Sequence, residues 1–170
     1  MNNEILFTER QKFNQWWLSA ILLAINALLI FAVFKQVISG HQFGTKPMSN
    51  TALLTTTGAV IIFTILFISL RLETRIKTDG IYVKFFPVQL SYRRYNWSSI
   101  SKLFVRQYNA LGEYGGRGFR WSVFGKGKAL NVSGNKGLQI EFSDNRKLLI
   151  GTNKPEELTR LLEQIRQLKK

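Results

Sequence analysis

The sequence predicts a two-helix transmembrane hairpin followed by an antiparallel β-barrel or sandwich of about seven strands, capped by a C-terminal α-helix. Three observations predict it. Two apolar runs, residues 16–34 and 52–70, each hold 19 residues and no Asp, Glu, Lys or Arg. From Arg71 the apolar period switches to two, the spacing of a half-buried strand. Near the end, Leu158, Leu161, Leu162, Ile165 and Leu168 recur at helical spacing.

At the helical rise each apolar run is about 28 Å long, close to the thickness of a bilayer's hydrocarbon core. Residues 1–15 are polar and include Glu4 and Glu9. They do not read as a signal peptide, because the run that follows exceeds an h-region and has no small-x-small cleavage site. They are read as a cytoplasmic segment ahead of the first span, with residues 35–51 as the extracytoplasmic loop. Arg10 and Lys12 precede the first span, and Arg71, Arg75, Lys77 and Lys84 follow the second. The loop offers only Lys35 and Lys46. The positive-inside rule therefore places both termini in the cytoplasm and the loop around His41 and Pro47 on the far side. Trp16 and Trp17 suit an interfacial belt.

Small residues suggest how the spans meet: Ala20, Ala24 and Ala27 on the first, Thr57, Gly58 and Thr64 on the second. Asn26 lies mid-span. Neither run carries an ionisable group, so it reads as an interhelical hydrogen bond rather than part of a transport path.

Residues 71–170 are read as one cytoplasmic domain, long enough for its own core. Leu72, Thr74 and Ile76 alternate with charged residues up to Asp79-Gly80, a hairpin signal. Ile81, Val83 and Phe85 continue on one face until Pro87. Further strands fit Leu90–Tyr95, the segment around Leu103 and Val105, and Phe119, Trp121 and Val123. Others fit near Leu130, at Leu138–Phe142 and at Lys147–Ile150, the last two flanking a Ser143-Asp144-Asn145 turn. Asn153 or Lys154 caps the final helix, with Pro155 in its first turn. Glu156 and Glu157 suit its positive end, and Lys169 and Lys170 its negative end.

These elements resemble the plan of a pleckstrin-homology (PH) domain, in the version of a bacterial membrane-anchored PH-like family. The carrying stretches are Thr78-Asp79-Gly80-Ile81, Asn96-Trp97-Ser98-Ser99-Ile100, Gly112-Glu113-Tyr114-Gly115-Gly116-Arg117-Gly118, and Leu148-Leu149-Ile150-Gly151-Thr152 leading into Pro155-Glu156-Glu157-Leu158. The resemblance covers roughly residues 72–168 and implies a multi-pass protein of the bacterial inner membrane. The eukaryotic headgroup signature, Lys and then Lys/Arg-x-Arg, is not reproduced, since Lys84 is followed by Arg93-Arg94, and the final helix lacks the usual Trp.

Charge narrows the function. The chain has 24 Lys+Arg against 10 Asp+Glu, a net charge of +14. Residues 71–170 hold 20 of the basic and 8 of the acidic groups. Such a domain suits anionic lipid, nucleic acid or acidic protein faces. Arg117, Arg120, Lys126, Lys128 and Lys136 fall on loops at neighbouring hairpin ends, and Arg93 and Arg94 join them as candidate anion- or partner-binding residues. They form either an anion-facing rim or an ordinary solvated surface. Gly112–Gly118 has strand on both sides and no Lys-Ser/Thr end, so it reads as a β-connection and not a phosphate loop. Phe119-Arg120-Trp121 has the interleaving of a base-stacking surface, but alternation explains it by placing Trp121 in the core. No nucleic-acid motif accompanies it.

No Cys is present, which excludes disulfides, thiol catalysis and zinc–thiolate sites. No cofactor or metal-ligand spacing occurs, and Glu141 with Asp144 reads as solvated turn residues rather than an acid–base pair. The expectation is a non-enzymatic, membrane-anchored interaction module. It engages a protein partner or, in the alternative, anionic lipid headgroups.

Overall fold

The computed structural model describes residues 4–13, 15–122 and 125–168. Val123, placed above on a strand, and Lys169 and Lys170, assigned to the helix end, lie outside them. The chain divides into two compact units, each described by itself: Gln15–Ser69, and the residues before Gln15 together with those from Leu70 on.

The first unit is a helical hairpin. α1 (Trp16–Val33) continues through a wider turn over Phe34–Ile38, and α2 (Asn50–Ile68) follows. Both are long and apolar enough to cross a membrane. Ser49 caps α2, its hydroxyl accepting from the Ala52 N–H. Asn26 donates to the Thr64 hydroxyl at 2.7 Å and to the Leu22 carbonyl at 2.7 Å, the interhelical bond expected of it. Thr57 and Thr64 are buried, as predicted. Ala20, Ala24 and Ala27 are instead exposed. The seam on α1 runs through Leu22, Asn26 and Ala32, because the Asn26 bond fixes the helix rotation.

Among its described residues, the second unit contains nine strands, a short helix and a longer C-terminal helix. β1 (Ile5–Lys12), β2 (Arg71–Lys77), β3 (Gly80–Phe86) and β4 (Arg93–Asn96) form one sheet in that order. A second sheet has the order β5-β8-β9-β7-β6. It comprises β5 (Ile100–Gln107), β6 (Gly118–Trp121), β7 (Lys128–Asn131), β8 (Lys136–Phe142) and β9 (Lys147–Thr152). Alternation builds the core: Leu72, Ile76, Ile81, Val83 and Phe85 face Leu130, Leu138, Ile140, Leu148 and Ile150. The final helix, α4 (Pro155–Leu168), adds Leu158, with Leu161, Leu162 and Ile165 packed against the same cluster, and lies on β5, β8 and β1.

Four expectations require correction. Residues 1–15 are not a separate lead, since residues 5–12 form β1, which pairs antiparallel with β2 (Lys12 opposite Arg71). The domain therefore does not begin at residue 71, and the helical hairpin is an insertion between its first two strands. Among the described residues the strands number nine rather than about seven, and one pair, β7 with β9, is parallel. The fourth strand is Arg93–Asn96, which leaves Leu90 in the preceding loop. Within the glycine-rich connection, Ala110–Tyr114 forms a short helix, α3, capped by the Asn109 side chain.

β1 is held by polar contacts. Its inward residues are Phe7, Glu9 and Gln11, all buried. The Glu9 carboxylate accepts from the Thr152 hydroxyl at 2.6 Å and the Asn153 N–H at 2.7 Å. Gln11 donates to the Gly151 carbonyl at 2.7 Å. A buried carboxylate is tolerated because charge-assisted hydrogen bonds replace its water. These bonds tie the edge of one sheet to the end of β9 in the other.

Candidate functional site

A cleft of about 270 Å³ opens where β4 and β6, each an edge strand of its own sheet, approach each other. β4 contributes Arg93 and Tyr95, and β6 contributes Trp121. Lys128 enters from β7, Phe142 from β8 and Lys147 from β9.

The turn Ser143-Asp144-Asn145 aims Arg146 into it. Asn145 takes the left-handed conformation at φ 65°, which asparagine tolerates. The Phe142 N–H donates to the Arg146 carbonyl at 2.9 Å, closing the turn. Asp144 grips Arg146 at 2.6 Å and accepts its backbone N–H. Those bonds hold the Asp144 carboxyl below the usual range, the backbone one foremost. The Arg146 guanidinium then lies 5.5 Å from the Phe142 ring centre.

The floor is aromatic. Tyr95 and Phe142 have ring centres 5.4 Å apart. Burial raises the pKa of the Tyr95 hydroxyl, which stays neutral and leaves the cleft uncharged at its base. Trp121 forms one wall and is 63 % exposed, a large apolar area left in water. The Lys128 ammonium sits 4.0 Å from its ring centre, an electrostatically favourable arrangement.

Four cations thus line the cleft: Arg93, Lys128, Arg146 and Lys147. No carboxylate lines it among the described residues. Asp144 is committed to Arg146, and Glu141 lies 3.5 Å from Lys147. The site suits a ligand that is both acidic and apolar. Its separated cations and paired carboxylates offer no nucleophile–base arrangement, and no metal-holding group of acidic or His side chains occurs among the described residues.

Of the seven basic residues singled out from sequence, the structure brings two, Arg93 and Lys128, into the cleft. Arg94 points to the other face of β4 and pairs with Asp79 at 3.0 Å. Lys126 pairs with Glu113 at 3.2 Å. Lys136 pairs with Glu156 at 3.2 Å, at the opposite end of β8 from Phe142. Arg117 stays in the connection before β6 and Arg120 lies within β6, where its Nε donates back to the Arg117 carbonyl. Trp121 is not in the core, because β6 is an edge strand with little cover on that face. Arg146 and Lys147 were missed, although the Asp144-Asn145 turn signal places them at a strand end.

A salt-bridge clasp supports the connection beside the cleft. Arg106 forms two bonds with Glu113, at 2.9 and 3.2 Å, and also reaches Tyr114 and Gln139. The Glu113 pKa falls to about 2, chiefly through the Arg106 bonds. A lowered carboxylate stabilises the fold fully above its unfolded pKa near 4.5 and loses that stabilisation as pH falls toward 2. After allowance for solvent screening, replacing Glu113 by Gln is expected to cost about 1–2 kcal/mol at pH 7. Thermal unfolding at pH 7 and pH 3 checks this: the gap between wild type and Glu113→Gln should narrow at the lower pH.

No family model, curated protein or solved structure matches the chain. The functional reading therefore rests on the site itself.

Proposed function

We propose that this chain is a non-enzymatic, membrane-anchored binding module whose cleft holds an acidic, partly apolar segment of a partner protein. The observation that carries the reading is the exposed Trp121 ring under Lys128, set among three further cations with no lining carboxylate among the described residues. Apolar contact supplies affinity, and the surrounding charge selects acidic partners and speeds encounter.

Two sheets closed by a C-terminal helix support the PH-like reading, with the helical hairpin occupying the connection between the first and second strands. The β1–β2 ladder supports a topology in which both ends of the hairpin emerge on one side of the membrane, since paired strands share a compartment. The balance of Lys and Arg favours the cytoplasm, and the bacterial inner membrane follows from the resemblance.

The test is mild-detergent purification of the full chain from its native membrane, beside Trp121→Ala/Lys128→Glu. Trp121 is exposed and Lys128 half-buried at the end of β7, so the variant should stay folded with a melting temperature close to wild type. Mass spectrometry of proteins and lipids should show a stoichiometric acidic partner on the wild type that is lost from the variant. Anionic lipid alone, lost by the same variant, would replace the protein partner with a lipid headgroup. A partner retained equally by both forms would remove the cleft from the interaction.

A further inference from the structure

The loop between β3 and β4 carries two aliphatic side chains that the described residues leave largely exposed. Val88 is 60 % exposed and Leu90 76 % exposed. Their exposure is built in: the Gln89 N–H donates to the Phe85 carbonyl at 2.7 Å, and the Phe85 N–H donates back to the Gln89 side chain at 3.2 Å. These two bonds close a tight turn and hold its apolar tips outward.

The register places this loop. Lys12 stands opposite Arg71, and Arg71 opposite Phe86, so the loop leaves the sheet at the end where the chain departs for α1 and returns from α2. Three residues separate β1 from α1, and two separate α2 from β2. The shorter tether spans at most about 10 Å.

The flanks are cationic and aromatic. The Arg71 guanidinium lies 4.4 Å from the Phe86 ring centre, and that of Arg75 lies 4.5 Å from the Tyr92 ring centre. Lys84 sits between the two rings, at 5.7 and 5.6 Å. Lys12 and Arg10 extend the patch across β1. Among the described residues one carboxylate, Glu73, faces these five cations, bonded to Tyr92, Arg71 and Arg10.

We propose that this loop is an interfacial wedge: Val88 and Leu90 enter the headgroup–acyl boundary of the anionic leaflet, while Lys12, Arg71 and Lys84 neutralise lipid headgroups around them. Apolar tips framed by aromatic rings and cations are what an anionic bilayer surface recognises. The wedge uses neither Trp121 nor any cation of the cleft. It fixes how the domain meets the membrane whatever the cleft binds.

Because the chain has no cysteine, Leu90→Cys provides a single labelling site in the full-length protein. The variant is labelled with an environment-sensitive fluorophore and reconstituted into vesicles containing phosphatidylglycerol and a doxyl-lipid quencher. Thr78→Cys, at the opposite end of the β2–β3 ladder, is the reference. The Leu90 label should be quenched about threefold more than the reference and should shift to the blue, as burial at the boundary requires. Lys12→Gln/Lys84→Gln, or vesicles of phosphatidylcholine alone, should reduce that quenching. A Leu90 label quenched no more than the reference overturns the wedge. Quenching that ignores both charge changes overturns the role given to the cations.

Discussion

A fragment of residues 71–170 is expected not to fold, although its length and charge suggest a self-contained domain. It lacks β1, which buries Phe7 at the core and pairs along the whole of β2. Burying Phe7 contributes about 2–3 kcal/mol. The hydrogen bonds that Glu9 accepts from Thr152 and Asn153, and the one Gln11 donates to Gly151, add about 1 kcal/mol each. The loss approaches the whole stability of a small domain, about 5–15 kcal/mol. The unpaired β2 edge further invites aggregation. Such a fragment should bind a hydrophobic dye and melt without a cooperative transition. Its complement is a fusion of residues 1–13 to residues 70–170 through a short Gly/Ser linker. The Phe13 N–H already meets the Leu70 carbonyl at 3.3 Å, so a few residues suffice. This fusion should unfold cooperatively and stay monomeric. A cooperative melt of the fragment at the temperature of the fusion would show β1 to be dispensable.

Gly127→Ala should be the most damaging single substitution at the cleft. Gly127 has φ 82°, where an L side chain is strained, and an added methyl would overlap the Lys147 carbonyl, its carbon only 2.8 Å away. The obstacle is backbone and cannot swing aside. Relief requires β7 to move from β9 at the Lys128–Leu148 pair, taking Lys128 from Trp121. A cost of about 3 kcal/mol is expected, lowering the melting temperature by roughly 10 °C or more. An unchanged melting curve would mean that the β7–β9 pair tolerates the added volume.

The parts legible in the sequence are those specified locally. An uncharged run marks each apolar helix without reference to the rest of the chain, and both observed helices fall close to those runs. Asp79-Gly80 announces the β2–β3 turn, and the spacing of Leu158, Leu161, Leu162 and Ile165 announces α4. β1 was illegible because two of its three inward positions are Glu9 and Gln11. Their burial depends on Thr152 and Gly151, about 140 residues away. The cleft was only half legible for the same reason. Arg93 and Lys128 stand out as cations, but Lys147 joins them only because β7 runs parallel to β9. Trp121 turns outward only because β6 is an edge.

The position of the hairpin also constrains how the protein is made. β1 leaves the ribosome before β2 and cannot pair until β2 follows, after both apolar helices have been synthesised. If only one helix were inserted, β1 and β2 would finish on opposite sides of the bilayer and the β1–β2 ladder would never form. On the membrane-spanning reading, completion of the two-sheet fold thus reports correct insertion. A chain threaded wrongly keeps an open sheet edge, the feature by which quality-control proteases and chaperones find their clients.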